Sequence, residues 1–158
     1  MRTMLTSLAL LLCLTGLSFA QSSTVTYDDG QDGIGYRAGI RRVLIDWTSD
    51  ASGDVVITTR KVVGTLIKAV TDPSATAPTD DYDIVVTDAE GINVLTASQL
   101  NLTNRDTTNS EEAYFLVKDA AGTPLAQSVH PVVCDVLTIT VAAAGNAKSG
   151  QLILYYRP

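Results

Sequence analysis

The sequence contains few of the side chains on which metal sites and nucleophilic catalysis depend. Its 158 residues include one histidine, His130, and two cysteines, Cys13 and Cys134. A structural zinc site needs four Cys or His ligands, and a serine or cysteine hydrolase needs a histidine base beside its nucleophile. His130 stands directly before Pro131, and the chain has no nucleophile motif and no phosphate-binding glycine loop. We therefore predict that the protein is not an enzyme and needs no cofactor.

The sequence also has fewer basic than acidic residues. The chain has 11 Lys and Arg against 17 Asp and Glu, which gives a net charge of −6. Nucleic-acid backbones and anionic membrane surfaces attract proteins that carry basic patches. The charge balance therefore argues against nucleic acid or an anionic membrane as the main partner.

The first 20 residues have a composition of their own. Arg2 precedes an almost unbroken apolar run over residues 5–17, and Ser18 and Ala20 are the small residues that a signal peptidase requires. The run is shorter than the ~20 residues of a membrane span. We predict a signal peptide at 1–20, export to the periplasm or the medium, and no stable membrane insertion after cleavage. The alternative is a retained membrane anchor.

Cleavage after Ala20 would remove Cys13 and leave Cys134 as the only thiol. An intrachain disulfide is then impossible, and whether Cys134 links two chains stays open. Its apolar neighbours Val132, Val133 and Val136 favour a buried, unreactive cysteine.

The mature chain is predicted to consist of an arm and one domain. Residues 21–39 are polar and glycine-rich, which favours a flexible arm with a possible edge strand at 24–27. In the domain, residues 40–158, apolar and polar residues alternate over short stretches that turn clusters separate, as in β-strands. Trp47 is predicted to be a core anchor because it shares the face of β-branched residues, with a ligand platform as the alternative.

Three β-hairpins are predicted from these patterns. The clearest joins a strand at 82–87 to a returning strand at 92–95 through the turn at 88–91. The other two pair 40–48 with 55–60 and 133–141 with 152–157. Further strands are expected at 61–70 and 113–118, with a long exposed connection over 96–112. About eight strands predict an all-β fold, an antiparallel two-sheet β-sandwich of the jelly-roll or Ig-like kind, with an open barrel as the alternative.

Three groups of residues are candidates for binding. Asp80, Asp81 and Asp83 form a weak candidate calcium site, with a solvated turn as the alternative. Four tyrosines favour either a sugar-binding face or ordinary packing; they are Tyr82, Tyr114, Tyr155 and Tyr156. Asn101 begins a formal N-glycosylation triplet, and whether it is modified stays open.

Several segments resemble small virion structural proteins of tailed bacteriophages. These segments are IDWTSDASG at 45–53, VTDP at 70–73, APTDDYDI at 77–84, DAEG at 88–91, LTITV at 137–141, AGNAKSG at 144–150 and LYYR at 154–157. The resemblance covers residues 41–157. It implies a β-sandwich subunit that packs against copies of itself or a capsid or tail scaffold, with no active-site residues. The predicted export signal departs from that pattern, because phage structural proteins assemble in the host cytoplasm.

The function predicted is therefore that of a non-enzymatic structural or assembly protein. Its predicted partners are proteins, as a homo-oligomer or in a virion, and the contacts would be made by sheet edges and a small-residue loop. The predicted interface residues in that loop are Ala142, Ala143, Ala144, Gly145 and Asn146. The alternative is a secreted module that binds carbohydrate or a cell surface through loops at one end of the sandwich.

Overall fold

The computed structural model of the protein describes residues 19–28, 39–94, 102–115 and 130–158. Most of the predicted signal peptide, part of the predicted arm, and Asn101 lie outside these residues. Within them, no helix has the length and apolar character that a membrane crossing requires.

The part of the chain that the structure describes is all-β, as predicted, and its strands form one antiparallel sheet. The strands are β1 (Ser22–Asp28), β2 (Arg41–Thr48), β3 (Val55–Pro73), β4 (Tyr82–Thr87), β5 (Leu102–Arg105), β6 (Glu111–Tyr114), β7 (Val132–Ala142) and β8 (Ser149–Arg157). Their order in the sheet is β1-β2-β8-β3-β7-β4-β5, and β6 pairs with β3.

Strand β3 connects the two halves of the sheet because it is 19 residues long. Its first part pairs with β7 as far as Thr65, and its last part pairs with β8 from Thr65 onward and with β6. The register shifts once in each part, between Thr58 and Lys61 and between Leu66 and Lys68. Such bulges bend and twist a strand. One continuous strand thus replaces the two pieces that the sequence suggests.

The hairpin at residues 82–95 is confirmed at its turn. The Asp88 carboxylate accepts a hydrogen bond from the Ile92 amide at 2.7 Å, and the Gly91 amide donates to the Asp88 carbonyl at 3.1 Å. Thr87 and Asn93 then form a β-bridge. The acidic first residue and the glycine act as the turn chemistry predicts.

The other two predicted hairpins are wrong. Strand β2 pairs with β1 and β8, and β7 and β8 lie on opposite sides of β3. The two turns between these strands bind each other: the Ser49 amide donates to the Lys148 carbonyl at 2.8 Å, and the Ala144 amide donates to the Gly53 carbonyl at 2.9 Å. Turn residues show that the chain reverses direction, but they do not determine which strand the next strand pairs with.

The predicted exposed connection at 96–112 is also wrong in part, because it contains β5. Leu102 of β5 is 1% exposed, and the Asn104 amide donates to the Asp83 carboxylate at 3.1 Å. A strand of four residues with one apolar anchor is too short for alternation to identify it.

The core forms because the sheet curves until its inward side chains meet. Trp47 of β2 and Tyr82 of β4 are four strands apart in the sheet, or ~19 Å at the usual strand spacing, yet their ring centroids are 5.7 Å apart. Trp47 is 2% exposed, so its predicted role as a core anchor is confirmed. Gly150 makes room for it, since a Cβ there would lie 2.8 Å from the indole Cζ2.

Candidate functional site

The candidate calcium ligands lie in and after the turn that precedes β4. Asp80 and Asp81 are exposed, whereas the carboxylate of Asp83 accepts the Asn104 amide and so links β4 to β5. Among the described residues, no group of three or more His, Cys, Asp or Glu is placed to hold a metal ion. The structure thus does not bring these three carboxylates together as one ligand set.

The small-residue loop after β7 is held largely by this chain itself. Ala144 is 0% exposed, its amide donates to the Gly53 carbonyl, and its carbonyl accepts the Thr79 amide at 2.8 Å. Ala142 and Gly145 are half-buried, and Ala143 and Asn146 are exposed. Of the five predicted interface residues, these last two therefore present the most surface to a partner.

The other candidates are divided between the core and the surface. Tyr82 and Tyr156 are buried, while Tyr114 and Tyr155 lie on the outer face on either side of Lys68, so the four tyrosines do not form one sugar-binding face. His130, half-buried, forms a hydrogen bond through Nδ1 with the Phe115 carbonyl. This bond fixes the ring against the backbone.

A cluster of exposed apolar side chains lies on the outer face of the β3–β7 pair. Val63 is 52% exposed and Val132 is 76% exposed, and Cys134, directly opposite Val63, is also exposed. We call Val63, Val132 and Cys134 the valine patch. Single exposed apolar residues are ordinary, but a group on adjacent strands indicates an interaction surface.

The pleat of the two strands explains why these residues face outward. Val62 and Val133 point into the core and are 3% and 5% exposed, so their neighbours Val63 and Cys134 must point the other way. The prediction that Cys134 is buried is wrong for this reason. The neighbours of Cys134 are apolar, but among them Val133 points into the core, so Cys134 points outward.

The charges around the valine patch are mostly basic or already bound. Lys61 precedes it on β3, and Arg157 is the β8 partner of Thr65, which in turn pairs with Val132. The Asp135 carboxylate accepts hydrogen bonds from the amides of Val136 and Ala89, which lower its pKa, the Val136 amide most. The patch is thus an uncharged surface bordered by charges of both signs, Lys61 and Arg157 on one side and Asp135 on the other.

The outer face of the other half of the sheet has charged and aromatic residues that already bind one another. Arg42 Nε lies 3.2 Å from the Asp28 carboxylate. Lys68 Nζ lies 2.5 Å from Glu112 Oε1 and 5.1 Å from the centroid of the Tyr155 ring, and Glu112 raises the pKa of Lys68. These contacts are exposed and contribute little stability. Because its groups have partners, this face is a weaker candidate than the valine patch.

Comparisons with protein-family models, with curated proteins and with solved structures find no match to this chain. The valine patch is therefore the feature of the described residues that points to a function.

The valine patch was not predicted from the sequence, although pairs of consecutive valines in the strands indicated that some valines face outward. Two consecutive apolar residues in a strand, such as Val62-Val63 or Val132-Val133, must place one side chain outward. Which one faces outward depends on the register shift after Thr58, and that shift is visible only in the structure.

Proposed function

We propose that this protein is a non-enzymatic structural or assembly subunit that works by protein–protein packing, with a second copy of the chain covering the valine patch. Assembly into a virion-like particle and export by the predicted signal peptide belong to the same proposal. The observation that carries it is the exposure of Val63, Val132 and Cys134 together on one face of the β3–β7 pair.

The proposed architecture is a two-sheet sandwich in which β3 belongs to both sheets. One sheet would contain β1, β2, β8, β6 and the last part of β3, and the other the first part of β3 with β7, β4 and β5. The contact of Trp47 with Tyr82 supports this arrangement. The edge of β3 near β1 supports it too, because Gln21 Oε1 accepts the Val56 amide at 2.8 Å and the Tyr27 hydroxyl accepts the Arg60 amide.

A second copy is the favoured occupant because of charge. Two chains that each have a net charge of −6 repel each other, and they approach most easily where the surface is neutral or basic. The valine patch itself carries no charge, and Lys61 and Arg157 beside it offset the charge of Asp135. Branched valine side chains also lose little rotational freedom when they are buried. A stable interface buries roughly 1,200–2,000 Å² in total, so the patch would be its centre.

Placing carboxylates in the valine patch is expected to dissociate the assembly. In the double variant Val63→Asp, Val132→Asp, each interface would bury unpaired charges, so we expect the dissociation constant to rise at least about 100-fold. Light scattering after size exclusion should then show a monomer where the parent shows a dimer or larger oligomer.

The matched control for that experiment is Val56→Asp. Val56 lies on the same strand and the same outer face and is 53% exposed, but it is outside the patch. It should leave the mass unchanged. A monomeric parent protein, or loss of the oligomer in Val56→Asp as well, would contradict the proposed interface.

Oxidation of Cys134 is expected to link two chains covalently. In a symmetric dimer the same patch meets itself, which brings the two Cys134 thiols close together. The full chain with Cys13→Ser, treated with diamide, should form a disulfide-linked dimer at low protein concentration. In the control variant Cys134→Ser, Thr58→Cys, the thiol stays on the outer face but lies outside the valine patch. This variant should not form the disulfide-linked dimer rapidly. Equal cross-linking of both proteins would argue against a contact between two valine patches.

A further inference from the structure

A cleft of about 440 Å³ lies where β1, β2 and β8 run beside the end of β3. Its size falls within the ~300–1,000 Å³ typical of small-molecule sites. It includes Gly150 of β8, whereas Arg157, next to the valine patch, lies seven residues further along that strand, or ~23 Å. The cleft is therefore separate from the proposed assembly surface.

The cleft is lined mainly by hydroxyl and carboxylate groups. Two carboxylates, Asp46 and Asp72, lie on either side of the amide of Gln151 in the sheet register. The hydroxyl groups come from Ser22, Ser23, Thr24, Thr48, Ser74 and Ser149. No Lys, Arg or His lines the cleft in the described part of the chain, so it has no cation to bind a phosphate or a carboxylate.

Internal hydrogen bonds hold several of these groups in place. Gln151 Nε2 donates to Asp46 Oδ1 at 2.6 Å, and Ser110 Oγ donates to Asp72 Oδ1 at 2.8 Å. Ser74 Oγ donates to the Ser149 carbonyl at 2.9 Å. The bonds to Asp46 and Asp72 are both accepted by the Oδ1 atom of the carboxylate. Because these acceptors are already held in place, they lose little conformational entropy when a ligand hydroxyl binds.

Trp47 also borders the cleft, although its indole ring faces the core, where it packs against Tyr82. The residue is 2% exposed, and Nε1 has no acceptor in the described part of the chain. Because the same residue borders the cleft, its emission can report on a ligand that binds there.

We infer that this cleft binds a neutral saccharide, with Asp46 and Asp72 accepting hydrogen bonds from its hydroxyl groups. Alternating donors and acceptors suit a ligand in which every hydroxyl both donates and accepts. The two carboxylates favour a neutral sugar over an acidic one, because an acidic sugar would place a third negative charge beside them.

Trp47 provides the test, because it is the only tryptophan of the chain. The full chain would be titrated with methyl glucoside, methyl galactoside, methyl mannoside, N-acetylglucosamine, lactose and cellobiose, and with glucuronate as the acidic counterpart. We expect at least one neutral sugar to change the Trp47 emission saturably at millimolar concentration, with matching heat in calorimetry. Glucuronate should bind at least about tenfold more weakly.

The variants Asp46→Asn and Asp72→Asn should each weaken that binding about tenfold, since each loses a charge-assisted hydrogen bond. Asp80→Asn, an equal change at an exposed carboxylate outside the cleft, should bind like the parent. No saturable response to any neutral sugar, equal binding of glucuronate, or unchanged binding in both cleft variants would each overturn the inference. Comparing the binding of soluble sugars with the binding of immobilised glycans would show whether the ligand is a free sugar or the end of a glycan.

Discussion

Gly53→Ala is expected to lower the free energy of unfolding by about 3 kcal/mol or more, whereas Gly91→Ala should lower it by only about 1 kcal/mol. Both glycines lie in turns with positive φ, +92° at Gly53 and +78° at Gly91, so both variants incur the left-handed backbone penalty. The surroundings differ. A Cβ on Gly53 would lie 2.7 Å from the Gly145 amide nitrogen, and a Cβ on Gly91 would have no atom within 4 Å.

The contact at Gly53 is rigid because the two corner turns are bonded together around it. The Gly53 carbonyl accepts the Ala144 amide at 2.9 Å, and Ser49 Oγ donates to the Gly145 carbonyl at 2.6 Å. A shift that relieved the clash would break such bonds, at a further ~1 kcal/mol each. The alanine can therefore be accommodated only by separating the turns that connect β2 to β3 and β7 to β8.

Urea unfolding followed by Trp47 fluorescence would measure both variants. The comparison with Gly91→Ala removes the backbone penalty that the two substitutions share, and the difference reports the close approach of the turns. Equal destabilisation by the two substitutions would show that the turns do not meet as described.

Raising the pH from 10 to 12 is expected to reduce the stability of the folded protein by about 2–3 kcal/mol through Tyr82 alone. Tyr82 is 0% exposed, and its burial raises the pKa of its hydroxyl from 10.0 to about 12. The hydroxyl of Thr71 opposes part of this shift, although the two oxygens do not form a hydrogen bond of ordinary geometry.

The sign follows from proton binding. Between pH 10 and 12 the unfolded chain has released the Tyr82 proton while the folded chain still holds it. The folded state then binds more protons, so the free energy of unfolding falls as the pH rises. Below pH 10 both states are protonated and the contribution of Tyr82 is fully present.

Tyr82→Phe tests this assignment. The variant should keep the core packing, remove the buried hydroxyl, and lose the part of the pH dependence that lies between pH 10 and 12. If Tyr82→Phe showed the same decline as the parent protein, the decline would belong to other groups.

The strands and their inward faces were largely predictable because alternation is a local property. Strand β4 was predicted with its bounds, and β2, β7 and β8 were found to within a few residues. Trp47 was identified as a core residue from the neighbours on its own face. Strand β5 was missed because Leu102 is its only strong apolar signal.

The candidate sites were less predictable because they depend on which side of the sheet each side chain points to and on which residues are close in space. The same alternation could not show whether Val62 or Val63 points outward, and the apolar neighbours of Cys134 wrongly favoured a buried position for it. The cleft was not foreseen either. Asp46, Gln151 and Asp72 are far apart in the sequence, and they meet only because β8 lies between β2 and the end of β3.

If both proposals hold, β8 separates two functions on one subunit. Assembly would occur near Arg157, at its last residue, and saccharide binding near Gly150, at its start. The two sets of variants can be tested independently, since loss of the oligomer and loss of sugar binding would arise from different residues.

By itself, the sequence determined that the chain forms short antiparallel strands with one apolar face, and that residues 88–91 reverse the chain. Only the tertiary structure decided that β3 passes between β7 and β8 and that the turns at Gly53 and Gly145 meet. The physical reason is that side-chain alternation depends on neighbours along the chain, whereas the backbone groups that pair strands are the same at nearly every residue. The choice of partner is therefore made by packing between residues that are distant in sequence.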